Sequence, residues 1–220
     1  MIKVIQDFLP QPLFNYMKNM IENPSAEMWS WQDSNLNQAH KNVGKDIEGG
    51  NEVKLGRTLY VYPPLSNKGV EVYDEMLMPL FGVIQKFTEE HMEDRCKPTK
   101  MVRMKMNLYP NHGENKKHGL HTDIHSNGRP DPNTITSVFN FTTCDGTTVI
   151  IDKEGKDVVV PSIENSIVIF NGTHLHYGTT QTDTKKRIVL NTNLHKADVD
   201  PFSEPDKEGR QNFEPLDDYF

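Results

Sequence analysis

His121-Thr122-Asp123 sets an imidazole and a carboxylate two residues apart in a stretch that reads as a strand. Residues i and i+2 of a strand point to one face, so both groups can reach a single metal ion. A third ligand must come from elsewhere. The segment Ile167-Val168-Ile169-Phe170-Asn171-Gly172-Thr173-His174-Leu175-His176 offers two histidines. They share a strand face, so alternation leaves the choice between His174 and His176 open. Two histidines and one carboxylate on one side of an octahedron leave positions for a chelating cosubstrate and dioxygen, which suits non-haem iron(II). His-x-Asp alone is a weak signal, because the pair is common by chance in surface and core roles.

Arg187 adds weight. It is the eleventh residue after His176, in the next predicted strand, on the face of Val189, Asn191 and Asn193. A guanidinium deep in a pocket grips a carboxylate through two parallel hydrogen bonds. Inside a barrel it is costly without an anionic partner. The plain alternative is a surface arginine following Lys185-Lys186.

Several pieces then fall in a fixed order: Asn107-Leu108-Tyr109-Pro110, His121-Thr122-Asp123, Ile135 to Phe141, a Gly146-centred turn, Asn165-Ser166-Ile167-Val168-Ile169-Phe170, His176-Tyr177-Gly178 and Arg187-Ile188-Val189-Leu190-Asn191. In this order they resemble the prolyl-4-hydroxylase-like branch of the 2-oxoglutarate/iron(II) oxygenases. The resemblance covers about residues 100–195 and leaves the first third of the chain without a usable motif. It implies a double-stranded β-helix, a jelly roll of two facing sheets. It also implies Fe(II) on His121, Asp123 and His176. His176 is favoured over His174 because the family's ligand commonly follows the strand's Phe by about six positions and precedes a small residue by two, as His176 does with Phe170 and Gly178.

The resemblance further implies Arg187 on the far carboxylate of 2-oxoglutarate, the cosubstrate, with dioxygen as oxidant and ascorbate as a candidate reductant. The reaction implied is oxidative decarboxylation of oxoglutarate coupled to C–H hydroxylation, with peptidyl proline or another amino acid slightly favoured as substrate. Halogenating relatives replace the carboxylate by a small residue, so Asp123 favours hydroxylation. Tyr109 stands where the family often has a Tyr near the oxoglutarate. Asn140 falls where many relatives place a Tyr against the distal carboxylate, so this chain departs from the pattern and offers a shorter amide. Asn191 and Asn193 are expected to orient Arg187, the cosubstrate or the substrate, since buried amides need partners. Lys105 is a substitute anchor for the carboxylate.

Other residues carry weaker signals. His118-x-x-His121-x-Asp123-x-His125 has the flavour of a zinc site, with His112 close by. Adjacent ligands on one strand would overcrowd one ion, so His118 and His125 are expected to be partly exposed. Trp29 and Trp31 read as packing residues, and Asp217 and Asp218 as solvated.

The elements that must position these groups follow from periodicity. Val4 to Phe8 reads as a short strand, and Leu13, Tyr16, Met17 and Met20 have helical spacing. Residues 23–56 are polar and read as loop; Leu59 to Tyr62 reads as a strand stopped by Pro63-Pro64. Residues 69–93 read as a long helix bent near Pro79. Residues 100–109 alternate, with Val102, Met104, Met106 and Leu108 facing a core against that helix and Arg103, Lys105, Asn107 and Tyr109 facing the other way. Short strands follow near 118–124, 134–142, 147–151, 156–160, 166–170, 173–180 and 186–194. The fold class expected is α+β, mainly β: a jelly roll flanked by N-terminal helices. One domain spans 1–220, with 1–98 as helical and loop support, 99–195 as the catalytic core and 196–220 as an acidic tail.

The 220 residues suit one core, and a net charge of -7 with pI about 5.7 disfavours bulk duplex nucleic acid as a partner. No run approaches the ~18 apolar residues of a membrane span. With two cysteines, Cys96 and Cys144, and no leader, the expectation is a cytoplasmic protein without a membrane partner. The partner expected is a peptide, an amino acid or another small molecule as substrate. Two other readings compete: a cupin-like metalloenzyme that does not use oxoglutarate, and a non-enzymatic jelly-roll structural or binding protein. The cupin pattern of His-x-His with a following Glu is not met, since no acid follows His176 closely.

Overall fold

The alternation at 100–109 becomes the middle of a long strand. The structure, a computed structural model, describes residues 1–22, 29–32, 54–62, 72–92, 98–126 and 128–196. Strand β5 (Pro98–Pro110) sends Met104 and Met106 into the main core, with Leu108 packed against it. Its polar residues Arg103, Lys105 and Asn107 therefore look the other way, as the period of two requires.

β5 lies within an antiparallel eight-stranded sheet. The other members are β1 (Ile2–Ile5), β2 (Ser30–Gln32), β3 (Lys54–Val61), β4 (Val72–Tyr73), β8 (Thr134–Asn140), β11 (Ser166–Asn171) and β13 (Lys186–Lys196). The order is β1-β11-β8-β13-β5-β3-β2, with β4 pairing β3. A smaller sheet holds β9 (Cys144–Ile151), β10 (Asp157–Ser162) and β12 (His176–Gly178), in the order β10-β9-β12. β6 (His125–Ser126) and β7 (Arg129–Pro130) form a two-stranded pair.

At β8 the large sheet is buried on both faces, so that strand reads as a continuous buried run. Ile135 and Phe139 join the helices in the main core. Val138, with Val168, Phe170 and Val189, packs against Ile150 and Val160 of the small sheet in a second cluster. The result is a helix layer, the large sheet and the small sheet, with the two sheets forming the expected jelly roll. Among the described residues no helix is long and apolar enough to cross a membrane.

Both helices differ in detail from the sequence reading. α1 (Gln11–Glu22) buries Phe14, Met17 and Ile21, while Tyr16 is 59% exposed. The buried stripe is rotated by one residue, with Leu13 and Met20 at its margins. The long helix expected over 69–93 is α2 (Met78–Glu90), and Pro79 starts it rather than bending it. A proline needs no N–H in the first turn and sits there without cost. Asp74 accepts hydrogen bonds from the N–H groups of Met76 and Leu77 (3.1 and 2.8 Å) and pairs with Arg57 of β3. This fixes the turn, and Val72-Tyr73 before it joins the sheet.

The loop expected over 23–56 contains β2 and the start of β3, and the first strand runs Ile2–Ile5 rather than from Val4 to Phe8. Residues 33–53, Pro63-Pro64, Cys96 and the tail beyond Lys196 lie outside the described residues. Trp29 packs against the main core.

Phe139 touches the rings of Phe8, Phe14 and Phe141 and is fully buried. Phe139→Ala should lower unfolding free energy by about 3–5 kcal/mol, as truncation of a packed aromatic does. Urea denaturation of the full chain checks this.

Candidate metal centre

His121 lies outside a continuous strand, contrary to the reading of 118–124, yet its backbone is held. It exchanges two hydrogen bonds with His176 at the head of β12, N to O 3.0 Å and 2.9 Å. That bridge brings the imidazoles to a centroid separation of 4.5 Å. Asp123, two residues on, completes the group. Its Oδ1 is 3.7 Å from His121 Nε2, and its Oδ2 is 3.6 Å from His176 Nε2. One ligand atom from each of the three lies within 4.8 Å of the others.

Both rings are set by the same device. His121 Nδ1 donates to the Gly119 carbonyl (2.8 Å), and His176 Nδ1 to the His174 carbonyl (3.2 Å). A carbonyl can only accept, so each Nδ1 carries the proton and each Nε2 turns a lone pair toward Asp123. Burial pushes the His121 pKa down to about 4, with His176 adding to this and Asp123 opposing it. His121 is therefore neutral at pH 7, the ligand form. His176 Nε2 is buried with no hydrogen-bond partner. His174 bonds the Ile151 carbonyl instead and is not part of the group.

Asp123 is a buried carboxylate, its side chain 4% exposed. Burial alone would raise its pKa, but Arg103, the two imidazoles and an Asn193 hydrogen bond outweigh that and hold it well below the ordinary value. Arg103 Nη2 donates to Oδ1 at 2.7 Å. Asn193, Asn191 and Thr136 donate to Oδ2 at 2.9, 3.1 and 3.3 Å. Oδ1 thus keeps a lone pair on the side of the histidines. Asn191 and Asn193 serve this carboxylate, neither of them bonding to Arg187. The part played by Arg103 was missed; the only signal was its place on the inward face of β5.

Arg187 is 1% exposed. Nη2 donates to Thr148 Oγ1 (3.0 Å), Nε to Ser162 Oγ (3.3 Å) and Nη1 to the Thr179 carbonyl (3.3 Å). It has no carboxylate partner among the described residues. Gly146 makes room for it. This glycine lies within β9, not in a turn as the sequence suggested, and a Cβ there would sit 3.0 Å from Arg187 Cδ. A Cβ at Gly178 would sit 3.2 Å from Arg187 Nη1.

Asn140 is tied into the same network. It accepts from Ser162 Oγ (3.0 Å) and donates to Ser166 Oγ (3.1 Å), so it reaches Arg187 through Ser162. Tyr109 lies with its ring centroid 5.8 Å from the guanidinium carbon and stacks on His118 at 4.6 Å. His118 is half-buried, its Nε2 buried without a partner; burial and then Arg187 push its pKa to about 3. His125 bonds Thr122, and neither it nor His118 joins the three-residue group.

No protein-family model matches the sequence, and no curated protein sequence matches it. Solved structures do. A Pseudomonas putida prolyl-4-hydroxylase superposes with a TM-score of 0.55 at 13% identity, over 89% of this chain and 92% of that one. A Trichoplax adhaerens prolyl hydroxylase, solved with a hypoxia-inducible-factor peptide fragment, gives 0.55 at 12% identity, over 89% and 83%. The chain has the fold of the 2-oxoglutarate/iron(II) oxygenases. The non-haem alpha-ketoglutarate-dependent epimerase SnoN, from nogalamycin biosynthesis, has this oxygenase fold too, with a TM-score of 0.54 at 11% identity over 89% and 78%.

Lys105 stands on β5 opposite Asn191, whose amide donates to Asp123. Burial, then Lys54 and Arg103, push its pKa down to about 7 from 10.5. Between those two values the unfolded chain binds more protons than the folded one, so stability rises with pH. The penalty for the buried ammonium is full below about pH 7 and is relieved by about pH 10.5. Lys105→Met should flatten that rise, measured as urea midpoints of the metal-free chain across the interval.

Proposed function

We propose that the chain is an iron(II)- and 2-oxoglutarate-dependent oxygenase that hydroxylates a C–H bond of its substrate. One observation carries this reading. Two imidazoles with their Nδ1 protons tied to backbone carbonyls aim Nε2 lone pairs at an ionised carboxylate, and the buried Nε2 of His176 has no other partner. The separations of 3.6 and 3.7 Å are too long for hydrogen bonds and suit groups that share a cation. Two imidazoles and one carboxylate are the donor set of non-haem iron(II) with open positions. The residues present therefore fit iron.

His121, Asp123 and His176 hold the ion from one side. Arg187 holds the distal carboxylate of oxoglutarate, with Thr148 and Ser162 fixing the guanidinium and Tyr109 and Asn140 flanking it. When bound, iron(II) supplies dioxygen activation coupled to decarboxylation of oxoglutarate to succinate. The chain's own contribution is placement. Arg103, Asn191 and Asn193 keep Asp123 ionised and turned toward the histidines. The burial of Arg187 without an acid favours this over a purely structural jelly roll, because an unpaired interior guanidinium destabilises the fold unless an anion arrives. Hydroxylation of a peptidyl or free amino acid is the substrate reading that the prolyl hydroxylase neighbours suggest.

Succinate formation by the iron-loaded chain tests the proposal; a chain that binds no oxoglutarate and forms no succinate in that assay overturns it. Asp123→Ala should abolish turnover, since the ion loses its anionic ligand. Arg187→Ala should raise the oxoglutarate concentration for half-maximal rate steeply, by on the order of 2–5 kcal/mol of lost binding. Oxoglutarate titrations with succinate readout measure it.

A further inference from the structure

Two lysines beside the His121, Asp123 and His176 group have no use in the reading above. Lys105 faces inward from β5 between Arg103 and Asn107, directly opposite Asn191 on β13 and Thr58 on β3. Lys54 opens β3, two residues before Gly56, which pairs with Asn107. Directly opposed residues point to one side of a sheet, so Lys54, Gly56 and Thr58 share the face of Lys105 and Asn107. Lys54 is close enough to press on Lys105, His118 and His121 electrostatically. Arg103 is already neutralised by Asp123. Neither lysine has a carboxylate or hydrogen-bond partner among the described residues. The chain as a whole carries a net charge of -7, so this is a local cationic wall in an acidic protein.

Oxoglutarate does not account for it. Arg187 pairs with Tyr109 and Lys105 with Asn191, so their backbone positions lie four residues apart along β5, ~13 Å at the strand rise. Arg187 takes the distal carboxylate of oxoglutarate and the ion takes the other end, which leaves Lys105 and Lys54 without a counter-ion. A second, independent feature lies between them. Asn107 is 7% exposed, and its Oδ1 is buried with no hydrogen-bond partner. A buried amide oxygen is costly unless a donor reaches it. Gly56 opposite it puts no side chain in the way.

We propose that the substrate is an acid whose carboxylate binds Lys105 and Lys54 and whose neighbouring amide N–H donates to Asn107. This rests on the oxygenase reading for the word substrate and names its chemical class: an N-acylated acidic amino acid, free or within a peptide.

The test is titration calorimetry of the full wild-type chain loaded with manganese(II) and oxoglutarate, with N-acetyl-L-glutamate and its uncharged diamide as probes. The acid should bind about tenfold tighter than the diamide, the yield of one charge-assisted contact. Lys105→Met should remove that preference and Lys105→Arg retain it. Asn107→Leu should weaken both probes alike. Lys54→Gln, at the half-exposed start of β3, should reduce the preference and serves should Lys105→Met not fold. Equal binding of the two probes, binding of neither, or a preference that survives the loss of Lys105 overturns the proposal. An acetylated, amidated peptide with one Glu separates the sources: tighter binding than N-acetyl-L-glutamate indicates a peptide, weaker binding a free acid. Failure of the oxygenase reading shows separately as no oxoglutarate uptake. The metal-free Arg187→Met chain then still reports on the two lysines.

Discussion

A carboxylate that must stay ionised in a dry interior sets the terms for this molecule. Removing Asp123 from water favours its neutral form, and a neutral acid would donate its proton to an imidazole Nε2 instead of offering a charged oxygen to a cation. The fold answers with donors from three central strands of the large sheet: Arg103 from β5, Asn191 and Asn193 from β13, and Thr136 from β8. These strands are neighbours in the order β8-β13-β5. Their register is therefore what charges the site. In such a sheet a slip of one residue turns every side chain to the other face, and here it would send the amides into the apolar core.

The two faces of the large sheet divide the labour. One packs on α1 and α2 through Phe139, Met104, Met106, Ile188 and Leu190, and that core keeps the strands in register. The other carries polar groups toward the small sheet, where apolar contact is limited to a small cluster around Phe170 and Val168. Arg187 sits between the two sheets and is the largest fully buried side chain among the described residues. Glycines at 146 and 178 admit it, and three oxygens from β9, β10 and the segment after β12 fix its orientation. The small sheet thus supplies the cradle for the guanidinium, and the large sheet supplies its charge.

Much of this was legible in the sequence, and what was not has a physical cause. Alternation over 100–109 marked β5 because one face is apolar and the other polar. His121, Asp123, His176 and Arg187 stood out through residue type and spacing. The start of α2 was misread because apolar residues at 72 and 76 continue the helical spacing, and a proline reads equally as a kink or as a first-turn residue. Gly146 was read as a turn because glycine punctuates chains; its reason for being there is the side chain of a residue 41 positions later. The pairing of Arg103 with Asp123 could not be seen, because it depends on how β5 and β13 align and on a loop returning over them. Local pattern fixes which face a residue occupies, but not what stands opposite.

The same reasoning explains why cations gather where they do. The donors that keep Asp123 ionised include one full positive charge, and Arg187 adds another on the same strand as Asn191 and Asn193. A divalent ion would add two more. Placed in an acidic chain, such a concentration of positive charge attracts anions over the distance of a Debye length, about 8 Å at physiological salt, and more strongly where low-dielectric walls confine the field. On the proposed function, oxoglutarate would answer part of it. Lys54 and Lys105 add to the positive side chains on this face of the large sheet, and burial, then Lys54 and Arg103, lower the proton affinity of Lys105. Keeping Lys105 costs stability in the empty protein, and a neutral side chain there would lack that cost. An anion entering beside Lys105 would relieve that cost, which is the electrostatic basis of the acidic substrate proposed above.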